Sequence, residues 1–280
     1  MYKVALFGAA GKIGSRITEK LRDVPDYEMA YVEAGEAGEQ RLRDWGLAPT
    51  PQEEAAPDAD AVILAIPDTH IGLVARQVVP MLKSGAMLLC LDPAAPYSGD
   101  LPERDDITYF VTHPCHPSIA NKDLPREALE DYFGGIAPQA LVCALMQGPE
   151  SDYAKGEELS RHMFAPVSNT HRVTVEQMAL LEPAMAETVA LTCIAVIRES
   201  MDEVIARGVP EAAARDFILG HLNVSIGILF GLIDAQVSDG ARLAMERART
   251  TLFQPDWKKV FETENVIAEV KSITAGTAKG

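Results

Sequence analysis

Between Lys155 and Lys258 the chain has no lysine, so any chemistry needing a lysine base from that stretch is excluded. Cysteine is scarce too: Cys90, Cys115, Cys143 and Cys193 lie far apart, with no CxxC pair. That spacing fits neither a redox dithiol nor a cysteine metal cluster and reads as four reduced thiols. Cations are few. With 25 Lys+Arg against 41 Asp+Glu, the formal charge is −16, which phosphate backbones and anionic leaflets repel. Nucleic acid and membrane surfaces are therefore not expected as partners. The N-terminal segment has no signal-peptide cleavage site, and a cytoplasmic protein is expected. Two apolar stretches, 178–197 and 217–233, resemble membrane spans. Glu182 and Glu187 interrupt the first, and His221 and Asn223 the second, so neither suits a lipid interior. There is no internal repeat and no low-complexity linker.

What is present is a globular chain of 280 residues, 48% hydrophobic and 24% charged, enough for a sizeable core. The first half alternates short apolar runs with helical patterns. Runs at 3–7, 27–33, 60–66, 86–91, 107–112 and 140–146 read as strands, and 14–21, 71–82 and 152–164 as helices. This alternation predicts an α/β fold with a doubly wound, Rossmann-type parallel sheet. After Pro166 the pattern turns helical, so two domains are expected: 1–165 for nucleotide binding, and an all-helical 166–280 for substrate and dimerisation.

The first strand runs into Gly8-Ala9-Ala10-Gly11-Lys12-Ile13-Gly14, a GxxGxxG loop opening a helix. Small residues there let the backbone approach a pyrophosphate, and the helix N-terminus supplies N–H groups. Gly8, Ala10, Gly11, Lys12, Ile13 and Gly14 are the expected cofactor contacts. Glu33, near the end of the second strand, is placed to accept from both adenosine ribose hydroxyls. A carboxylate there repels a 2′-phosphate, which favours NAD over NADP. Ile66-Pro67-Asp68-Thr69-His70 leaves the sheet at its carboxyl edge, so Ile66, Pro67, Asp68 and His70 are expected near the cofactor; His70 could equally cap a helix.

Two features carry candidate chemistry. His113-Pro114-Cys115-His116-Pro117 closes a strand and puts two imidazoles at the same sheet edge, available for proton transfer or metal ligation, or only for hydrogen bonds within the loop. The stretch 178–197 is apolar on every face of a helix, so burial is expected. Its only charges are Glu182 and Glu187, which then need a cation, hydrogen bonds or a proton. Pro183 should distort the helix beside Glu182. A salt bridge to a distant arginine would satisfy these acids, and a site shared with the histidine loop is the alternative. His113 and Glu182 are the proton-transfer candidates. His116 and Glu187 are candidate ligands of a divalent metal such as Zn²⁺. His221 and Asn223 face either substrate or a helix–helix interface.

With the glycine loop, Glu33, the VILAIPD strand end, the HPCHP loop and the helical second half, the chain resembles the 6-phosphogluconate and β-hydroxyacid dehydrogenase superfamily. The His-Pro after the strand is also similar to that of prephenate dehydrogenases. The GAxGKxG, HPxHP and LLEPAxxET segments are most similar to the D-apionate oxidoisomerases. That resemblance implies an NAD-dependent oxidoreductase of sugar-acid catabolism, turning a small polyhydroxy acid into a 3-oxo acid. Oxidation would be coupled to migration of a carboxylate-bearing fragment, with a metal assisting. Many β-hydroxyacid dehydrogenases use a helical GxxxK-type lysine that this chain lacks, so that assignment does not carry over. A simple hydroxyacid or prephenate-type dehydrogenase without rearrangement is the alternative enzyme. An NAD-sensing binding protein without turnover is the alternative of another class. The two apolar helices lack cover within one chain, so a homodimer is expected.

Overall fold

The structure, a computed structural model, describes residues 1–276. Its sheet has seven strands: β1 (Tyr2–Phe7), β2 (Tyr27–Val32), β3 (Ala61–Leu64), β4 (Met87–Cys90), β5 (Thr108–Pro114), β6 (Gln139–Gln147) and β7 (Val167–Arg172). They lie in the order β2-β1-β3-β4-β5-β6-β7. The neighbouring pairs from β2 through β5 are parallel; β6 runs antiparallel to β5, and β7 parallel to β6. The parallel arrangement dominates, as the alternating pattern predicts.

Every residue of β3 and β4 is buried, because helices cover both faces of a crossover-built sheet. Successive side chains enter opposite layers. Val62, Leu64, Leu88 and Val111 pack on one face, and Ile63, Leu89, Phe110 and Cys143 on the other. Each such aliphatic side chain contributes about 1.5–3 kcal/mol on burial. The strand order reverses at β1, which leads to β2 on one side and lies beside β3 on the other. A crevice therefore opens beyond the carboxyl ends of β1 and β3, where open α/β sheets bind ligands.

The chain divides into two compact units, the boundary falling after Pro183. The first holds Met1–Pro183 and the chain from Val266 onward; the second is Ala184–Asn265. The expected boundary at 165/166 falls too early, because β7 extends the sheet. The helix Thr263–Ala275 also returns most of its length to the first unit, burying Val266 and Val270.

Thr174 starts the long helical stretch. Its hydroxyl accepts from the Gln177 N–H, and the Gln177 side chain accepts from the Thr174 N–H. A short α-helix, Val175–Ala179, passes into a π-helix, Leu180–Leu191, that contains Pro183. Proline has no N–H to give the helical ladder, and the wider π turn is the local distortion expected beside Glu182. An α-helix, Thr192–Ala206, follows.

The second unit contains that helix, two more at Glu211–Leu229 and Asp239–Leu252, and a 3-10 turn at Trp257–Phe261. Burial of the 178–197 stretch is only partly met. Met178, Ala179 and Ala184 are buried, whereas Leu191, Ile194 and Val196 are exposed. Phe217 and Leu229 on the next helix, and Phe230 just past its end, are exposed as well.

Candidate active site

Gly8 leaves β1 with φ +76°, and a Cβ there would collide with the Ala65 carbonyl. Gly14, at the start of the helix Gly14–Leu21, lies so close to the Gly8 carbonyl that a side chain has no room. These contacts turn the chain sharply and bring the glycine loop against the end of β3. Glu33 follows β2 and accepts from the Ala10 N–H at 2.5 Å, while Arg41 Nε donates to the Ala10 carbonyl at 3.2 Å. A cavity of about 620 Å³ opens beside them, lined by Gly8, Gly11, Glu33, Ile66, Pro67 and His70 among others. Six of the expected cofactor contacts thus line one cavity, and Ala10 holds Glu33 at its wall. A glycine-floored cavity with a carboxylate at one wall fits the adenosine half of a dinucleotide. Lys12 and Ile13 line a second cavity, of about 220 Å³, together with His113 and His116.

His113 is the last residue but one of β5, the strand that lines up beside β4. Its Nδ1 lies 2.8 Å from the Leu91 carbonyl, which can only accept, so Nδ1 carries a proton. Its Nε2 lies 3.4 Å from Glu182 Oε2. The Asp92 carboxylate is 3.9 Å from Nδ1 and accepts from the Ala94 N–H at 2.7 Å. Burial, and then the charge of Asp68, push the Asp92 carboxyl up to about 6. Asp68 begins the helix Asp68–Val78, and burial raises its carboxyl too, against the pull of His113. Asp68 is therefore electrostatically part of the group around His113, and it does not line the large cavity with its neighbours Ile66, Pro67 and His70. The structure thus brings His113 and Glu182 together, and adds Asp92 and Asp68 around them.

Asp92 is the residue that sequence reasoning missed. Its signal was an acid just past the carboxyl end of a buried strand, hidden by the adjacent Pro93, which made it read as a turn. His116 has φ +59° and sets its ring edge-on to His113 at 6.3 Å and to Phe133 at 5.9 Å. Lost solvent on its inner side, and then the charge of His113, lower its pKa. Glu187 belongs to the second unit and His116 to the first. Among the described residues no group of three or more His, Cys, Asp or Glu side chains is arranged to hold a metal. His221 donates from Nδ1 to the Phe217 carbonyl at 2.8 Å and stacks on the Phe217 ring.

A dinucleotide cavity beside an imidazole–carboxylate pair defines a Rossmann-type oxidoreductase. Residues 121–274 match the family described as phosphogluconate dehydrogenase (decarboxylating) C-terminal domain. The chain is 50% identical to a D-apionate oxidoisomerase of Rhizobium rhizogenes over 98% of its own length and 100% of the relative's. It is 47% identical to a D-apionate oxidoisomerase of Cupriavidus necator, over 97% and 99% of the two chains. It thus belongs to the D-apionate oxidoisomerase family. A crystal structure of a semialdehyde dehydrogenase NAD-binding protein from Cupriavidus necator, in complex with calcium and NAD, superposes with a TM-score of 0.95. That protein is 46% identical over 98% of this chain and 100% of its own.

Proposed function

We propose that this protein oxidises D-apionate, a branched polyhydroxy acid, with NAD and rearranges the product to a 3-oxo acid. The observation that carries the reading is His113, fixed through Nδ1 on Leu91 and facing Glu182 with Nε2. The names of the relatives support the substrate, and the NAD complex of the similar structure supports the cofactor. Gly8, Gly11, Glu33, Ile66 and Pro67 would hold the adenosine side of NAD, with Ile13 toward its other half. When bound, NAD supplies the acceptor for the hydride that leaves the carbinol carbon.

His113 Nε2 takes the proton of the hydroxyl next to the substrate carboxylate, and Glu182 stabilises the imidazolium that results. Oxidation leaves a carbonyl beside a tertiary hydroxyl. Glu182 then takes the proton of that tertiary hydroxyl, whose oxygen closes to a new carbonyl. One hydroxymethyl group shifts with its electron pair to the former carbonyl carbon, and the oxygen there recovers a proton from the His113 imidazolium. The proton left on Glu182 is the one released overall. The migrating group must leave the tertiary carbon, whereas the carboxylate already sits on the receiving carbon. A hydroxymethyl therefore moves, not the carboxylate-bearing fragment expected from the sequence. A metal held by His116 and Glu187 has no three-donor cluster behind it among the described residues, and no step is assigned to it. Activity after exhaustive chelation tests that role.

The apolar side chains exposed on the second unit support a homodimer, and the acidic chain and its substrate class support a cytoplasmic enzyme. The test of the main reading is formation of reduced cofactor from D-apionate and NAD. His113→Ala and Glu182→Gln should each lower kcat about 10²-fold or more, in the range of lost acid–base catalysis. NAD affinity should stay within about threefold, since neither side chain lines the adenosine cavity. Undiminished kcat in both variants would remove the pair from the chemistry.

A further inference from the structure

Lys12, Arg16 and Lys20 recur every four residues and line one wall of the 220 Å³ cavity that also holds His113 and His116. Lys20 is used: its Nζ donates to the Gly135 carbonyl at 3.0 Å. Lys12 and Arg16 have no carboxylate partner among the described residues, in a chain where acids outnumber Lys+Arg by 41 to 25. Both instead face the ring of Phe133, the Arg16 guanidinium at 4.4 Å from its centroid and the Lys12 ammonium at 5.9 Å. The edge-on ring of His116 meets the same phenyl.

The loop that presents Phe133 is built for that position. The Asp131 carboxylate accepts from the N–H groups of Phe133, Gly134, Ile136 and Ala137, at 2.9–3.2 Å. Lys20 ties the same loop to the helix Gly14–Leu21. Arg16 lies in the first turn of that helix, a turn without an acid. A cation there opposes the helix dipole and does nothing for helix stability. The arrangement holds two unpaired cations beside the reacting imidazole.

We propose that Arg16, with Lys12 beside it, anchors the carboxylate of the substrate. The proposal rests on the reading of that substrate as a hydroxy acid. The hydroxyl that gives its proton to His113 is one carbon from the carboxylate, so the carboxylate must lie within a few ångströms of the imidazole. Asp68, Asp92 and Glu182 crowd around His113 and repel it. The cations that share the cavity with His113 attract it. This polarity orients the acid with its carboxylate toward Phe133 and its hydroxyl toward Nε2. The guanidinium suits the task because it can meet both carboxylate oxygens while stacked on an aromatic face. The diphosphate of the cofactor offers the same anionic chemistry. However, the cavity lined by Gly8, Gly11 and Glu33 contains neither Lys12 nor Arg16.

The test is Arg16→Gln, with Arg16→Lys as the conservative variant, measured by the KM for D-apionate and by the affinity for NADH from its fluorescence. Binding of tartronate, a small hydroxy dicarboxylate, to the NADH-loaded protein gives a readout independent of turnover. Arg16→Gln should weaken D-apionate KM and tartronate binding at least tenfold, Arg16→Lys less, with NADH affinity within threefold, which also shows that the variants fold. Tartronate binding unchanged in Arg16→Gln would overturn the anchor, as would a loss confined to NADH affinity, which would give Arg16 to the diphosphate. If the wild type fails on D-apionate yet binds tartronate through Arg16, the anchor stands and the substrate reading falls. If D-apionate is oxidised with unchanged KM in Arg16→Gln, the anchor falls and the substrate reading stands.

Discussion

Nε2 of His113 lies 3.4 Å from Oε2 of Glu182, joining the end of a buried strand to the π-helical turn that holds Pro183. Neither residue is remarkable alone. In the proposed function they act as one proton-transfer unit, because Leu91 fixes which nitrogen of the ring is free. Since they act as a unit, the double variant His113→Ala/Glu182→Gln should lose little more kcat than the worse single variant. Steady-state kinetics checks this, and strictly multiplicative losses would show two independent roles.

Asp92 sets a pH dependence of stability. Its carboxyl is raised in the folded protein to about 6 from the ordinary 3.8, so the folded state keeps its proton longer than the unfolded chain. This contribution favours folding at acid pH and is lost as pH rises from about 4 through about 6. Asp92→Asn should therefore melt higher than wild type at pH 8, with the difference shrinking toward pH 4. Thermal melts across that range check the sign, and a variant less stable at pH 8 would reverse it.

The place of Glu33 at the cavity wall predicts the choice of nucleotide. A 2′-phosphate would meet its carboxylate, so kcat/KM for NAD should exceed that for NADP at least tenfold, or about 1.4 kcal/mol. Glu33→Ala should narrow the ratio. Equal efficiencies in the wild type would refute the assignment.

The exposed side chains Phe217, Leu229 and Phe230 predict assembly. Sedimentation at micromolar concentration should give a dimer, with a buried interface well above about 2,000 Å². A charge at Phe217, as Phe217→Glu, should weaken it. A wild-type monomer would leave these side chains without a partner.

Much of this was legible in the sequence because it depends on short-range pattern. The buried strands are continuous apolar runs, the glycine loop follows the first of them, and Glu182 stands out against an apolar helix. What could not be read depends on contacts distant in sequence. β7, Val-Ser-Asn-Thr-His-Arg, is polar and largely unburied, and only its pairing with β6 makes it a strand. The domain boundary moved with it. Asp92 and Asp68 acquire their electrostatic role from burial around His113, and Arg16 acquires its place from a phenyl ring more than a hundred residues away.

The central claim is an oxidation joined to a carbon shift. It is tested most directly by NMR of the product from D-apionate and NAD, with hydroxymethyl carbons labelled and reduced cofactor counted in the same sample. The account predicts one NADH per product and one labelled hydroxymethyl on the carbon that bears the carboxylate. An unrearranged 2-oxo acid that persists as the enzyme's product, or rearrangement without NADH, would contradict it.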